Sequence, residues 1–470
     1  MRYATITLPG RCAAIGSALL LTLALAVSGF ASPSNKTYTK YVGPPNGFDD
    51  TGVLQDALND CAINHASGCT IRLSSGTYVS KPLAVSNFHG SLIGMGMDVT
   101  TIAAFTPLAD VWPTLLTFTD GDITVSDMSF QVTAYQPVDP CDPVASGGFC
   151  GVYSLVLVTG YNSTNASFQR VAFDGGPGPE WFGAYNLYAG LLYEGVDVGN
   201  QNFTGTFKMS GCRITNSSEN LRVYGTAEAQ VTIGGSLKSG NVFENGVISL
   251  AIFDTAQSVI QITDNDVTNP AAYGAAVDLL QSSDYAHDPS LFNVWHNTIS
   301  VSGDSNTGIA VNDLTHFFLG SPASTVSVSN NTITLQTSQD GTPYDGINLY
   351  VGQENFIFNN KISGPGFYGI AAWAVDRCML IANNVRNVQA SIADIGLMTD
   401  TPLGAPVPTT NCTVVATSRK DTICDQGVGN LIIGGTVSHC TPPASTVKET
   451  MKRKAAAQHD ARAFAKPMHH

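Results

Sequence analysis

The residues of this chain best suited to chemistry fall at matching places in short runs: ISLAIF, AAVDLL, GIAVND, GINLYV and GIAAWA. Reading each run as a strand, one outward column runs Arg222, Ser249, Asp278, Ala310, Asn348 and Ala371, and the next runs Tyr224, Ala251, Leu280, Asn312, Tyr350 and Trp373. Asp278 stands in mid-strand, where a rigid scaffold would hold a carboxylate. Asp313, Asp254 and Asp345 lie near strand ends and could flank it. Two carboxylates about 5–5.5 Å apart, or about 6.5–9.5 Å apart, suffice to cleave a glycosidic bond with retention or inversion. Acidic residues also serve as plain turn formers. Tyr224, Tyr350 and Trp373 offer flat apolar surfaces, while Arg222, Asn312 and Asn348 offer hydrogen-bonding groups. Sugar rings present apolar C–H faces rimmed by hydroxyls, so such columns suit a glycan as substrate or ligand. SSDYAHDPS (282–290) reads as an excursion that carries His287, a candidate base beside the columns. The bland alternative for all of these is an ordinary surface under loops.

The elements that must position these residues repeat. The phrase ITDNDV recurs as VWHNTI, VSNNTI, IFNNKI and LIANNV, with Asn265, Asn297, Asn331, Asn360 and Asn383 at one key place. Looser copies put Met128, Val171, Cys212 and Gly435 there. A constant phrase with filler of varying length marks a coil whose inner turn is fixed and whose loops vary. Alternating apolar residues and corner glycines read as strands. Stacked parallel strands sit about 4.8 Å apart, so the asparagines would touch and form a hydrogen-bonded ladder. Cys212 and Met128 in the same register point the column inward and make Cys212 a buried free thiol. The reading is an all-β, single-stranded parallel β-helix, a solenoid.

Solenoids need closed ends. In DDTGVLQDALNDCAI (49–63), Leu54, Ala57, Leu58 and Cys61 recur at helical spacing, which predicts a short capping helix. The first 31 residues read as an export signal, with the apolar run ALLLTLALAV after Arg2 and Arg11. That run is too short for an ordinary membrane span, and a secreted or periplasmic protein is expected. The β-helix domain is expected over 32–445, followed by a basic Ala/Lys-rich tail, 446–470, read as disordered. Export makes disulfides plausible, with Cys61–Cys69, Cys141–Cys150 and Cys412–Cys424 as close pairs. Between Lys238 and Lys361 there is no Lys or Arg, against twelve Asp or Glu. Nucleic acid is a poor partner for such rungs, because phosphate contacts need basic side chains. The expected partner is a polysaccharide, either neutral or bridged through Ca²⁺, the one cofactor that carboxylate and carbonyl oxygens would suit. Cys and His spacing offers no metal site.

The N-terminal segment resembles the opening of the pectate-lyase-like superfamily. The resemblance rests on Asp49, Asp50 and Thr51; on Gly76, Thr77 and Tyr78; and on Gly94, Gly96 and Ile102 with Thr100 or Thr101. It covers about residues 38–105 closely and implies a right-handed parallel β-helix linked to carbohydrate. The chain departs from that pattern in its central rungs. There is no Asn-Thr-Asp phrase, adjacent Asp pair, Gly-His-Gly or Arg-x-Lys there, as polygalacturonase-like hydrolases would carry. A pectate-lyase-like elimination would need Arg or Lys as base, drawn from the flanks at Arg222 or Arg377. The resemblance therefore speaks to fold and leaves two functional classes open: a carbohydrate-active enzyme (hydrolase, lyase or epimerase-like) or a non-catalytic adhesin or glycan-binding surface protein.

Overall fold

The computed structural model describes residues 38–104, 114–132, 152–160, 163–176, 187–194, 204–217, 219–235, 239–269, 274–282, 288–303, 306–337, 344–386, 392–402 and 405–438. The export signal, most of the 133–151 and 175–190 excursions, the Cys141–Cys150 pair, His287 and the basic tail lie outside them.

The chain coils as a parallel β-helix with three sheets. Ala275–Gln281, Leu291–Trp295 and Thr298–Ser302 make one turn, contributing to sheets A, B and C in that order. Each pairs in parallel with its counterpart one turn on, in Thr307–Asp313, Thr325–Ser329 and Thr332–Gln336. The same triplet recurs in Asp345–Tyr350, Asn355–Phe358 and Lys361–Ser363, and again in Tyr368–Trp373, Met379–Ile381 and Asn384–Arg386. Alternation decides what faces in. Val277, Ile309, Ile347, Ile370 and Ile395 stack in sheet A, while Val294, Val328, Ile357 and Leu380 stack in sheet B, all within one buried core. Where sheet C turns into sheet A, space is short. A Cβ on Gly346 would lie 2.5 Å from Ile362 Cγ2 and 2.6 Å from the Gly369 carbonyl oxygen. This close approach accounts for the glycine that opens GIAVND, GINLYV and GIAAWA.

The corner between sheets B and C is the fixed turn. Asn241, Asn265, Asn297, Asn331, Asn360 and Asn383 form one buried column. The backbone N–H and Nδ2 of Asn297 donate to Asn331 Oδ1 at 2.9 and 3.0 Å, and those of Asn331 donate to Asn360 Oδ1, both at 3.0 Å. Asn331 Nδ2 also donates to the Val294 carbonyl at 2.9 Å. The residue before each ladder asparagine from Asn265 onward takes the left-handed region, with φ of 57° at Asp264, 55° at His296, 56° at Asn330, 53° at Asn359 and 54° at Ala382. Asp, Asn and His enter that region more readily than most side chains. Met128, Val171 and Cys212 continue the column inward, as expected. Gly435 does not: the strand after it, Thr436–Ser438, pairs with Thr422–Asp425 of sheet A, because the last turns pass from sheet B to sheet A directly.

The helix Thr51–Asn64 buries Leu54, Ala57, Leu58 and Cys61, the expected face, against the first turns. Cys61–Cys69 ties it to the strand Cys69–Leu73. The second described disulfide corrects the sequence expectation: Cys412 bonds Cys378, not Cys424. Cys378 and Cys412 precede strands that pair in register, and their Cα atoms are 4.4 Å apart, whereas Cys424 belongs to sheet A. Cys212 is a buried free thiol whose pKa burial pushes up to about 12.

Removing one ladder amide strands buried donors and acceptors on both neighbouring turns, each costing ~1–3 kcal/mol. Asn331→Leu is therefore expected to lower stability by about 3 kcal/mol in denaturant titration. Asn359→Ala, just before the ladder's Asn360 and exposed, is expected to change it by less than about 1 kcal/mol. Asp49 offers a separate pH test. The Thr51 hydroxyl and N–H, with Lys81, hold its pKa near 2, below the usual 3.8. Its contribution is present above pH 4 and lost as pH falls through about 2, so Asp49→Asn should flatten thermal stability over that window.

Candidate functional site

The outward side of sheet A carries nearly all of the expected site. The pairing register places Arg222, Ala251, Asp278, Ala310, Asn348 and Ala371 in one column, and Tyr224, Phe253, Leu280, Asn312, Tyr350 and Trp373 in the next. One strand corrects the sequence reading: Ile248–Phe253 is shifted by two, so Ala251 replaces Ser249 and Phe253 replaces Ala251. A shift of two keeps every side chain on its face, where a shift of one would have inverted them.

The face is not an open row of platforms. Phe253, Leu280, Tyr350, Trp373, Met398 and Cys424 belong to a second apolar cluster, separate from the inner core. Trp373 is 2% exposed and Tyr350 5%, so neither presents a flat surface to solvent. Tyr368 meets Trp373 edge-on at 6.2 Å. Burial, and the hydrogen bond and charge of Asp400, raise the Tyr350 pKa far above the ordinary tyrosine range, so the phenol stays neutral. Arg222 is also buried. Its Nε lies 3.3 Å from Glu219 Oε2, and its guanidinium sits 5.8 Å from the Tyr224 ring centre and 5.3 Å from that of Phe253. It is an anchored cation between rings and is poorly placed to act as a base. Arg377, the other flank candidate, is exposed and lies against Glu354 and Asp376 at 3.3 and 3.1 Å.

What stays half-exposed is Tyr224, Asp278, Ala310, Asn312 and Asn348. Asn312 Nδ2 donates to Asp278 Oδ1 at 3.2 Å. Asn348 lies two turns from Asp278 in the same column, about 10 Å away at stacked-strand spacing. Ala310 between them leaves the floor low. Asn348 Nδ2 donates to Asp345 Oδ2 at 2.6 Å, which fixes the amide's orientation.

The carboxylates expected to flank Asp278 are structural. Asp254 accepts from the Ser282 N–H at 2.6 Å and is 3% exposed. Asp345 is fully buried. Asp313 is 5% exposed, caps the helix Leu314–Leu319 by accepting from the His316 N–H at 3.1 Å, and accepts from the Ser324 N–H at 2.9 Å. Burial raises its pKa. The Ser324 contact ends a second ladder that the sequence reading missed. At the corner between sheets A and B, Ala229 N–H donates to Ser258 Oγ, Ser258 N–H to Ser290 Oγ, and Ser290 N–H to Ser324 Oγ, each at 3.1 Å. Its signal was the serine that opens SVIQIT, SLFNVW and STVSVS. Asp313, read from the sequence as a catalytic candidate, is buried at the terminus of that ladder.

Among the described residues, no group of three or more His, Cys, Asp or Glu stands together to hold a metal. Among those residues, no helix is long and apolar enough to cross a membrane.

Burial sets the effect of changing Trp373. Its indole N–H is buried without a hydrogen-bond partner. Trp373→Phe should leave the melting temperature nearly unchanged, since it removes an unpaired donor and keeps most packing. Trp373→Ala should cost about 3–5 kcal/mol.

No family model matches the chain, and no curated protein matches it. Solved structures do. DFA-IIIase from Arthrobacter chlorophenolicus A6 in complex with GF2 is similar at 11% identity, over 82% of this chain and 92% of that one, with a TM-score of 0.48. PfbA, a surface adhesin of Streptococcus pneumoniae, is similar at 12% identity, over 75% and 92%, with a TM-score of 0.45. The A-module of the Azotobacter vinelandii mannuronan C-5 epimerase AlgE4 is similar at 12% identity, over 85% and 98%, with a TM-score of 0.40.

Proposed function

We propose that this chain is a secreted carbohydrate-active β-helix protein that receives a polysaccharide along the outward face of sheet A, with Asp278 as its acid–base group. The observation that carries the reading is the half-exposed Asp278 carboxylate, hydrogen-bonded by Asn312 at 3.2 Å and followed two turns on by Asn348. Carboxylate and amide groups at rung spacing match the hydroxyl rim of a sugar chain laid along the coil. Tyr224, the half-exposed aromatic of the neighbouring column, supplies an apolar surface at one end. A neutral chain suits this face best, because its one described cation, Arg222, is buried against Glu219. His287, outside the described residues, is the candidate base on the adjoining excursion.

A second reading, a non-catalytic glycan-binding or adhesin-like protein, draws support from the buried, structural roles of Asp254, Asp313 and Asp345. Glycoside hydrolysis generally needs a second carboxylate. One experiment separates the two. A panel of neutral and acidic polysaccharides is scored for binding and for new reducing or unsaturated ends. The enzyme reading expects turnover that falls at least about 100-fold in Asp278→Asn, with binding retained. Binding without any turnover supports the second reading. If Asn348→Ala and Asp278→Asn both leave binding and turnover unchanged, this face is not the site.

A further inference from the structure

The outward side of sheet B is polar in its early turns and apolar in its late ones. Gln230, Thr232 and Gln261 occupy it first. Further along, one column runs from Trp295 through Ser329 and Phe358 to Ile433, and its neighbour from Asn293 through Ser327 and Phe356 to Leu431. Trp295 and Phe356 are each 37% exposed and Phe358 is 41% exposed. Ser329, between Trp295 and Phe358 in its column, is only 3% exposed. The two rings therefore close over it and make one aromatic floor two turns long, about 9.6 Å at stacked-strand spacing. A polar rim follows the floor. His296, Asn330 and Asn359, the residues after Trp295, Ser329 and Phe358, take left-handed φ values of 55°, 56° and 53° and reach the surface. Asn359 Nδ2 donates to Asn330 Oδ1 there. Half-exposed Asn293 and Ser327 flank the other side.

We propose that this face is a second carbohydrate site, which takes an uncharged glycan chain laid along the coil and stacked on Trp295 and Phe358. It lies on a different sheet from Asp278 and does not depend on that residue's role. Sugar rings turn apolar C–H faces to such a floor and hydroxyls to such a rim, and two turns match the length of a disaccharide unit. Charge and area decide the class of partner. Neither column carries a charged side chain from Asn293 and Trp295 to Leu431 and Ile433, in a chain of net charge −14. Glu354, just before the strand Asn355–Phe358, is held by Arg377 at 3.3 Å. A polyuronate finds no cation on this floor, and a second copy of the chain would bring like net charge against it. The apolar strip covers five rung steps, about 24 Å, and two columns about 7 Å apart, roughly 300 Å² with side-chain width included. A stable protein interface buries ~800 Å² per partner. The strip is too small for that and long enough for a short run of sugar rings.

Acrylamide quenching of Trp295, isolated as the difference between the full chain and its Trp295→Phe variant, tests this. Hydroxyethyl cellulose, glucomannan and arabinoxylan are the uncharged probes, and polygalacturonate is the charged one. At least one uncharged probe is expected to lower quenching of Trp295 several-fold. Phe358→Ser, which installs the residue that the column already holds at 329, should raise the glycan concentration needed about tenfold. Phe358→Tyr keeps a ring and should need no more glycan than the unchanged chain, which covers the case of a serine variant that folds poorly. The readout is blind to the sheet A face, so it succeeds or fails independently of Asp278→Asn. The proposal is overturned if no uncharged probe protects Trp295, if polygalacturonate protects it equally, or if Phe358→Ser and Phe358→Tyr behave alike. Protection that rises with protein concentration alone, with a dimer in sedimentation, also overturns it, because a second copy would then hold the face.

Discussion

Everything in this molecule depends on backbones held about 4.8 Å apart, turn after turn. At that spacing every outward or inward position becomes a column, and a column is tolerated only if its members suit one another. Apolar residues satisfy this without direction. Polar ones satisfy it only when each is both donor and acceptor, which is why the carboxamide of asparagine fills the corner between sheets B and C. Asn297, Asn331 and Asn360 each serve one neighbour through Oδ1 and the other through Nδ2. Serine does the same at the corner between sheets A and B with one oxygen per turn.

The same constraint explains which carboxylates are free for chemistry. A carboxylate can only accept, so inside a column it must end a ladder or clamp a turn. Asp313 ends the serine ladder, Asp254 holds Ser282, and Asp345 orients Asn348. Buried acids persist because N–H donors meet them. Asp278 sits instead on the flat of the sheet, with Ala251 and Ala310 above and below, and keeps an edge toward solvent. Part of the acidity of the central rungs is thus architectural, and a count of carboxylates overstates the chemistry available.

Periodic signals made the coil legible in the sequence. Five asparagines at one place in a repeated phrase located the fixed corner, the paired-strand register followed, and the apolar spacing from Leu54 to Cys61 located the cap. Asn241 was less legible because GNVFEN lacks the preceding apolar residue at the usual distance. The site was read less well for a physical reason. Alternation says which sheet face a side chain joins, and that was right for Tyr350, Trp373 and Arg222. It cannot say whether that face is covered. Leu280, Phe253 and Met398 made the outward side of sheet A a second core, while the open aromatics lay on sheet B at Trp295, Phe356 and Phe358. Cys61–Cys69 was legible as a close pair, but the partner of Cys412 was not, since Cys378 and Cys412 are neighbours across a turn and distant along the chain.

The asparagine column also has a direction. From Asn265 to Asn383 every Oδ1 accepts from the asparagine of the turn before, and from Asn241 to Asn360 every Nδ2 donates to the asparagine of the turn after. Carboxamide dipoles comparable to those of peptide units, which sum when aligned, therefore add along the axis: negative toward the capped end and positive toward the late turns. The coil is an electrically polar rod as well as a chemically varied one. Its two ends are unlike even where their side chains are alike, and any anionic or cationic group approaching along the axis would distinguish them.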